Sequence, residues 1–334
     1  MNRNRVDIDI EGYERVIHIT DEESGLDAIM SIHNTKLGPA IGGCRLWKYD
    51  SYDDQLKDAL RLSQGMTFKN ASSGLDHGGA KTTVNLNKIK DRRAAFQKLG
   101  KAVNLLDGKY IIAGDVGTTV EDLFRINDGT GYVAGITLDS SQPTALGVYT
   151  SIETLLKRDN KEISGHTFMV EGLGKVGNKL AKMLIRAGGK VKAYDPWEGA
   201  YDDFISNLTV ERVSKKNVYT TECDVYVPCA LGATVNMRTL NTMKAKYICG
   251  SANNQFEKVS DAVTAHSLGI KYVPDFVANC GGVVAVALDF KKKDYSFPLT
   301  FDLAARINDI LDTADNDDIC PQQAAENLAN NRLR

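Results

Sequence analysis

The sequence predicts an α/β protein of two domains, the second of Rossmann type. Three observations carry that expectation. The run Glu171-Gly172-Leu173-Gly174-Lys175-Val176-Gly177 is followed by an apolar-alternating stretch, Lys190 to Tyr194, that ends at Asp195, 23 residues after the first glycine. The second half alternates short apolar runs with helix-like stretches, the rhythm of a parallel sheet covered on both faces. At 334 residues, with 43% apolar and 25% charged residues, the chain is long enough to bury two sizeable cores.

The glycine run has the spacing of a dinucleotide fingerprint. Thr167 to Val170 reads as the strand before it and Lys179 to Ala187 as the amphipathic helix after it. Gly172 allows the tight turn, Gly174 lets backbone approach a pyrophosphate, and Gly177 lets helix and strand pack closely. The helix start offers unpaired N–H groups and a positive dipole end to phosphates. A carboxylate at Asp195 suits two free ribose hydroxyls and repels a 2′-phosphate, so the expected cofactor is NAD rather than NADP.

Bulk properties exclude several classes. The net charge is −2, with no basic stripe, which argues against nucleic-acid and membrane-surface partners. The first residues lack the apolar centre of a signal peptide, and no apolar run has membrane-spanning length, so a cytoplasmic address is expected. Cysteines 44, 223, 229, 249, 280 and 320 are scattered without a CxxC pair and read as buried free thiols. His18, His33, His166 and His266 show no ligand spacing, and no metal site is expected.

In chain order, strands are expected at Val16–Thr20, Leu26–His33, Thr82–Leu86 and Tyr110–Ala113. Ser51 to Asp54 resembles a capping box opening a helix to about Ser63, and a second helix is expected over Arg92–Leu105. Asp139-Ser140-Ser141-Gln142-Pro143 reads as a hinge or connector. The expected domains are therefore 1–138, joined by C-terminal helices at about 300–334, and a Rossmann-type domain over 139–299. Beyond the fingerprint, strands are expected at Asp224–Pro228, Lys246–Gly250 and Lys271–Asp275, with a helix at Val259–Leu268. Ligands of such sheets lie beyond the carboxyl ends of the strands. That directs attention to Pro228-Cys229-Ala230-Leu231-Gly232, Gly250-Ser251-Ala252-Asn253-Asn254 and Asp275-Phe276-Val277-Ala278-Asn279-Cys280-Gly281-Gly282.

Three further segments combine glycine with ionisable residues: Gly38 to Arg45, Gly65 to Asn70 with Gly78-Gly79-Ala80-Lys81, and Ala113 to Thr118. Together with the strand-end segments, and in this order, they resemble the motifs of the amino-acid dehydrogenases acting on glutamate, leucine, valine and phenylalanine. The resemblance runs from about Ala28 to Gly282 and resumes weakly from Ile319 to Leu333. It implies NAD-dependent, reversible oxidative deamination of an amino acid to a 2-oxo acid and ammonia, in a homo-oligomer joined through the first domain, with a cleft between the domains.

By position, the resemblance implies that Lys69 holds the substrate α-carboxylate, Lys81 activates water and Asp115 passes protons to and from the amino nitrogen. It places Ile41, Gly42, Met66, Ala113 and Asn279 around the substrate. Thr144, Gly172 to Gly177, Asp195, Cys229, Ala230, Leu231, Ser251, Ala252, Asn253 and Asn279 are placed along the cofactor. A water-activating lysine must be neutral part of the time, and burial and a second cation such as Lys69 both favour the neutral amine.

Glutamate enzymes carry a lysine where this chain has Ile41, and an isoleucine leaves a side-chain carboxylate unpaired at a cost of several kcal/mol. The expected substrate side chain is therefore apolar, of the leucine, valine, phenylalanine or tryptophan type. The chain departs from the family pattern at His77, at Ala80 in place of a third glycine, at Gly114, and in a short connector before Thr144. A methyl at 80 would displace Lys81 if that position needs positive φ. Such a displacement would favour the alternative reading, a non-catalytic NAD-binding or ligand-sensing relative. The intact trio of Lys69, Lys81 and Asp115 favours the enzyme.

Overall fold

Among the described residues, six strands in the first part of the chain assemble one mixed sheet: β1 (Arg5–Ile8), β2 (Arg15–Asp21), β3 (Leu26–Asn34), β4 (Ala40–Trp47), β5 (Gly79–Asn85) and β6 (Tyr110–Gly114). Their order is β1-β2-β3-β5-β4-β6, antiparallel from β1 through β5 and parallel across β5, β4 and β6. One face packs on α1 (Tyr52–Ser72), the other on α2 (Arg92–Asn104) and α3 (Val120–Asn127). The second face holds the larger core, in which Met30, Ile32, Ala80, Val84, Tyr110 and Ile112 meet Phe96, Leu99 and Ile126.

The computed structural model describes residues 5–204 and 208–334, which form two compact units. The first unit runs to Leu138 and takes in Ala285–Asp294 and Ala329–Arg334. Asp139–Val284 and Tyr295–Leu328 make up the second. The C-terminal stretch at about 300–334, expected with the first unit, thus lies mostly in the second. Its α10 (Leu303–Asp317) buries Leu303, Ile307, Ile310 and Leu311 and packs on α4 (Ser141–Lys157), and Arg158 ties the two by ion pairs to Asp312 and Asp315.

Among the described residues, the second unit is built on six parallel strands: β7 (Thr167–Glu171), β8 (Lys190–Tyr194), β9 (Val210–Arg212), β10 (Val225–Pro228), β11 (Tyr247–Ile248) and β12 (Lys271–Tyr272). Their order, β12-β11-β10-β7-β8-β9, is the doubly wound arrangement whose direction reverses between β7 and β10. Helices α5 (Lys175–Arg186), α6 (Met237–Leu240), α7 (Val259–Ser267) and α8 (Asp275–Ala278) alternate with the strands. Two further helices, α9 (Gly281–Phe290) and α11 (Pro321–Arg332), begin in the second unit and end in the first. Among the described residues, no helix is long and apolar enough to cross a membrane.

Several elements differ from the sequence expectation for identifiable reasons. Helix α1 runs nine residues past Ser63, so Gly65 to Asn70 is part of the helix. Its start is as expected, with Ser51 accepting the Asp54 N–H at 3.1 Å. Its end is fastened by buried Asn70, whose amide donates to Gly78 O at 2.6 Å. The glycine-rich run at 40–47 is strand β4, and Gly78-Gly79-Ala80-Lys81 leads into strand β5. Asp139 to Pro143 is largely the opening of α4: Asp139 accepts the Ser141 N–H at 3.0 Å, and Pro143 sits in the first turn, where no N–H is needed.

Candidate active site

In the first unit, the β4–β5–β6 register puts Ile41, Gly43, Lys81 and Ala113 on the pleat that faces α1. Ile41 lies opposite Gly79 on one side and Ile111 on the other, and Gly43 lies opposite Ala113. Gly42 points to the other face, where a Cβ would overlap the carbonyl of Ala80. The glycine at 43 is required for a different reason. A Cβ there would stand 2.8 Å from Cβ of Asp115, which lies just beyond the end of β6. Helix α1 brings Met66 and Lys69 to the same face, both half-buried, and the absence of a side chain at Gly79 lets β5 approach the backbone of Thr67.

Lys81 is buried, and its Nζ lies 2.6 Å from Oδ2 of Asp115. Arg45, on β4, donates from Nε to the same oxygen at 3.1 Å. Burial works to raise the Asp115 carboxyl pKa, but the charge and hydrogen bond of Lys81 and the charge of Arg45 outweigh it and hold it below the usual value. Arg45 also donates from Nη1 to Asp58 at 3.1 Å, and Asp58 accepts from Tyr49 and Arg61 as well. Arg45 and Asp58 had no role in the sequence reading. Arg45 stood at the end of a recognised glycine run, but Asp58 looked like any charge on an amphipathic helix.

His77 is buried, with Nδ1 2.8 Å from Pro39 O, and burial lowers its pKa, the character of a packing residue. Ala80 belongs to β5, pairs with Ile32 and has no positive φ, so its methyl imposes no strain on Lys81.

In the second unit, Gly172 has φ +97°, the left-handed conformation that favours glycine. A Cβ at Gly172 would come within 2.8 Å of Ala230, and one at Gly177 would overlap the carbonyl of Gly172. A Cβ at Gly174 would meet nothing within 4 Å, so the space in front of the turn is open. Helix α5 starts there without a side-chain cap, leaving the early N–H groups, from Lys175 and Val176 on, for an outside acceptor. Asp195 accepts the Leu173 N–H at 2.8 Å and the Trp197 N–H at 2.9 Å. These features fit a bound dinucleotide: open space at the turn, free helix-start donors and a carboxylate held beside them.

The other strand-end segments converge on the same end of this sheet. The Asn279 amide donates to Ser251 O at 3.3 Å and to Asn253 Oδ1 at 3.0 Å. The Cys229 thiol, raised in pKa by burial, is hydrogen-bonded to Ser251, and Ala252 donates its N–H to Pro228 O at 2.9 Å. Leu231 is exposed beside Ala230. Thr144, on α4, packs against Gly281 and Gly282. Asp275, which the sequence reading placed at a strand end without a role, fixes the Asn253–Asn254 turn by accepting the Asn254 N–H at 2.9 Å.

Fold and site define a class: a two-unit α/β protein pairing a Rossmann dinucleotide fold with a buried lysine paired to a half-buried aspartate. Residues 13–131 match the Glu/Leu/Phe/Val dehydrogenase dimerisation domain, and residues 134–203 and 199–318 match the Glutamate/Leucine/Phenylalanine/Valine dehydrogenase domain. The chain belongs to this Glu/Leu/Phe/Val dehydrogenase family. It is 40% identical to leucine dehydrogenase of Bacillus cereus over 96% of this chain and 91% of that one. It is 36% identical to phenylalanine dehydrogenase of Lysinibacillus sphaericus over 83% and 77%. In three dimensions it resembles L-tryptophan dehydrogenase from Nostoc punctiforme, with a TM-score of 0.86, 30% identity and 96% of each chain covered.

Proposed function

We propose that the protein is an NAD-dependent dehydrogenase that converts an apolar L-amino acid and water to the 2-oxo acid and ammonia, reversibly. The carrying observation is the contact of buried Lys81 with half-buried Asp115 at 2.6 Å, on the strand face shared with Ile41 and Ala113. The relatives named leucine, phenylalanine and tryptophan dehydrogenase support the same reading.

Lys69 would anchor the substrate α-carboxylate, with Met66, Ile41, Gly42 and Ala113 around the substrate. Asp115 would take a proton from the substrate ammonium, so that the free amine is the species oxidised. NAD, when bound, supplies the two-electron acceptor for the α C–H hydride. Lys81 as the neutral amine would then draw a proton from the water that adds to the imino carbon, and Asp115 would return a proton to the departing nitrogen. The 2.6 Å contact supports direct exchange between the two groups. Ile41 cannot pair with a side-chain carboxylate, which supports apolar substrates over glutamate. Asn279, placed beside Ser251 and Asn253, would serve both cofactor and substrate. Asp195 would accept from the ribose hydroxyls and repel a 2′-phosphate, which supports NAD over NADP. The match of residues 13–131 to a dimerisation domain supports a homo-oligomer joined through the first unit.

The test follows NADH appearance with a panel of amino acids at alkaline pH, using the parent and Lys81→Ala. We expect NADH with leucine-like or aromatic amino acids, little with glutamate, and a loss of at least 10²-fold in Lys81→Ala with NAD binding retained. Equal turnover of glutamate and leucine would sink the substrate assignment. NAD binding without NADH from any amino acid would sink the enzyme.

A further inference from the structure

Asp115 is shared by two cations. Lys81 reaches Oδ2 at 2.6 Å from β5, and Arg45 reaches the same oxygen at 3.1 Å from β4. The arginine is itself held: Nη1 lies 3.1 Å from Asp58 on α1, and Asp58 accepts from the Tyr49 hydroxyl at 2.8 Å and from Arg61 at 3.0 Å. The guanidinium is therefore fixed at both ends, by a fork that no lysine supplies. Its planar geometry aims Nε at Asp115 while Nη1 is occupied by Asp58.

This matters because of what Lys81 must do. When Lys81 gives up its proton, a carboxylate held by Lys81 alone would lose its counter-charge inside a buried site. Arg45 cannot be deprotonated and remains beside it. We propose that Arg45 is a positioning residue that keeps Asp115 ionised and oriented while Lys81 cycles between ammonium and amine, with Asp58 setting how strongly Arg45 bears on the pair. This inference rests on the proton-transfer roles proposed for Lys81 and Asp115. Among the described residues, Cys44, Tyr110 and Tyr49 also feel the Asp115 charge, all three with raised pKa values, and none of them supplies a positive charge.

Removing the Arg45 charge favours the protonated form of every group it faces, so the acid limb of the kcat/KM profile of Arg45→Gln should move to higher pH. Its kcat/KM should fall by roughly 10–10²-fold through kcat, with KM within about twofold. Asp58→Asn removes the anion that competes for Arg45, and its acid limb should move the opposite way. Arg45→Lys should recover the position of the limb better than it recovers kcat. A role in packing alone would move neither limb, or both in one direction, and either outcome overturns the inference. If Arg45→Gln does not fold, the opposed behaviour of Asp58→Asn and Arg45→Lys decides by the same criteria.

Should the parent deaminate no amino acid, the enzyme reading fails on its own. Arg45 is then judged by ¹³C NMR of labelled aspartate, with the Asp115 signal assigned from its absence in Asp115→Asn. Titration of that signal at higher pH in Arg45→Gln than in the parent supports the inference, and an unchanged titration overturns it.

Discussion

Single residues decide the local energetics, and Asp122 shows how. It is buried, accepts from both Nε and Nη2 of Arg92 at 2.8 and 2.6 Å, and closes a capping box with Thr119 at the start of α3. Burial works to raise its pKa, but the hydrogen bonds from Arg92 and Thr119 win and lower it. A carboxyl whose folded pKa lies below the unfolded one stabilises at pH above the unfolded value, and that stability is lost as pH falls through the folded value. Asp122→Ala should therefore cost about 2–3 kcal/mol at pH 7 by urea denaturation. Its deficit relative to the parent should shrink as pH drops below 4. Equal deficits at pH 7 and at pH 2 would contradict this. Lys81 and Asp115 stood out as candidates at this scale because they sit in glycine-bounded runs, and the structure brings the two into contact, whereas Asp58, Arg45 and Asp275 act through neighbours far away in sequence. A carboxylate that binds a loop or an arginine across a sheet leaves no local mark.

At the scale of elements, the sequence separated strand from helix well wherever apolar spacing alone decided the outcome, as in β2, β3, β7, β8, α2 and α7. Among the elements it missed are β4, the second half of α1, the short edge strand β1, and α3, α4 and β9. The first two share one cause. Glycines in those runs resemble loop signals, yet at Gly42, Gly43 and Gly79 they serve close approach of backbones and side chains. Gly65, midway along α1, has only open space around it, and Asn70 ties down the turn that follows. The glycine turn after β7 leads to a further prediction. Gly177→Val places a branched side chain against the Gly172 carbonyl and the Cys229 Cβ, so α5 must shift off its strand. NAD affinity should drop by at least tenfold while α-helix content by circular dichroism stays near the parent's. Asp195→Ala should weaken NAD binding more than NADP binding and loosen the turn, since it also removes the acceptor for Leu173 and Trp197. Isothermal titration with both cofactors checks the pair, and a parent that binds NADP as tightly as NAD would refute the ribose argument.

For the whole molecule, two units with separate sheets and separate cores imply that unfolding need not be a single event. A ligand that binds only one of them protects that one: if NAD binds the second unit as proposed, NAD at 100 times its Kd would add about 2.7 kcal/mol to it. Calorimetry with and without NAD should therefore show a cofactor-sensitive transition and a less sensitive one. A single transition that moves as a whole would mean that the units unfold together. The C-terminal stretch, which the sequence reading assigned to one unit, is divided between both. Periodicity shows that a helix has an apolar face, but not which core that face meets.

The conformation of Ala80 has a further consequence. A residue in an ordinary extended strand gains nothing from glycine's freedom, and alanine there restricts the unfolded chain, which has fewer states to lose on folding. The methyl at the position before Lys81 therefore acts through conformational entropy. Ala80→Gly, which restores the glycine usual in the family, should lower stability by about 0.4–1 kcal/mol and leave kcat/KM within about twofold. What looked like a defect in the motif would then be a modest gain in thermostability at no catalytic cost.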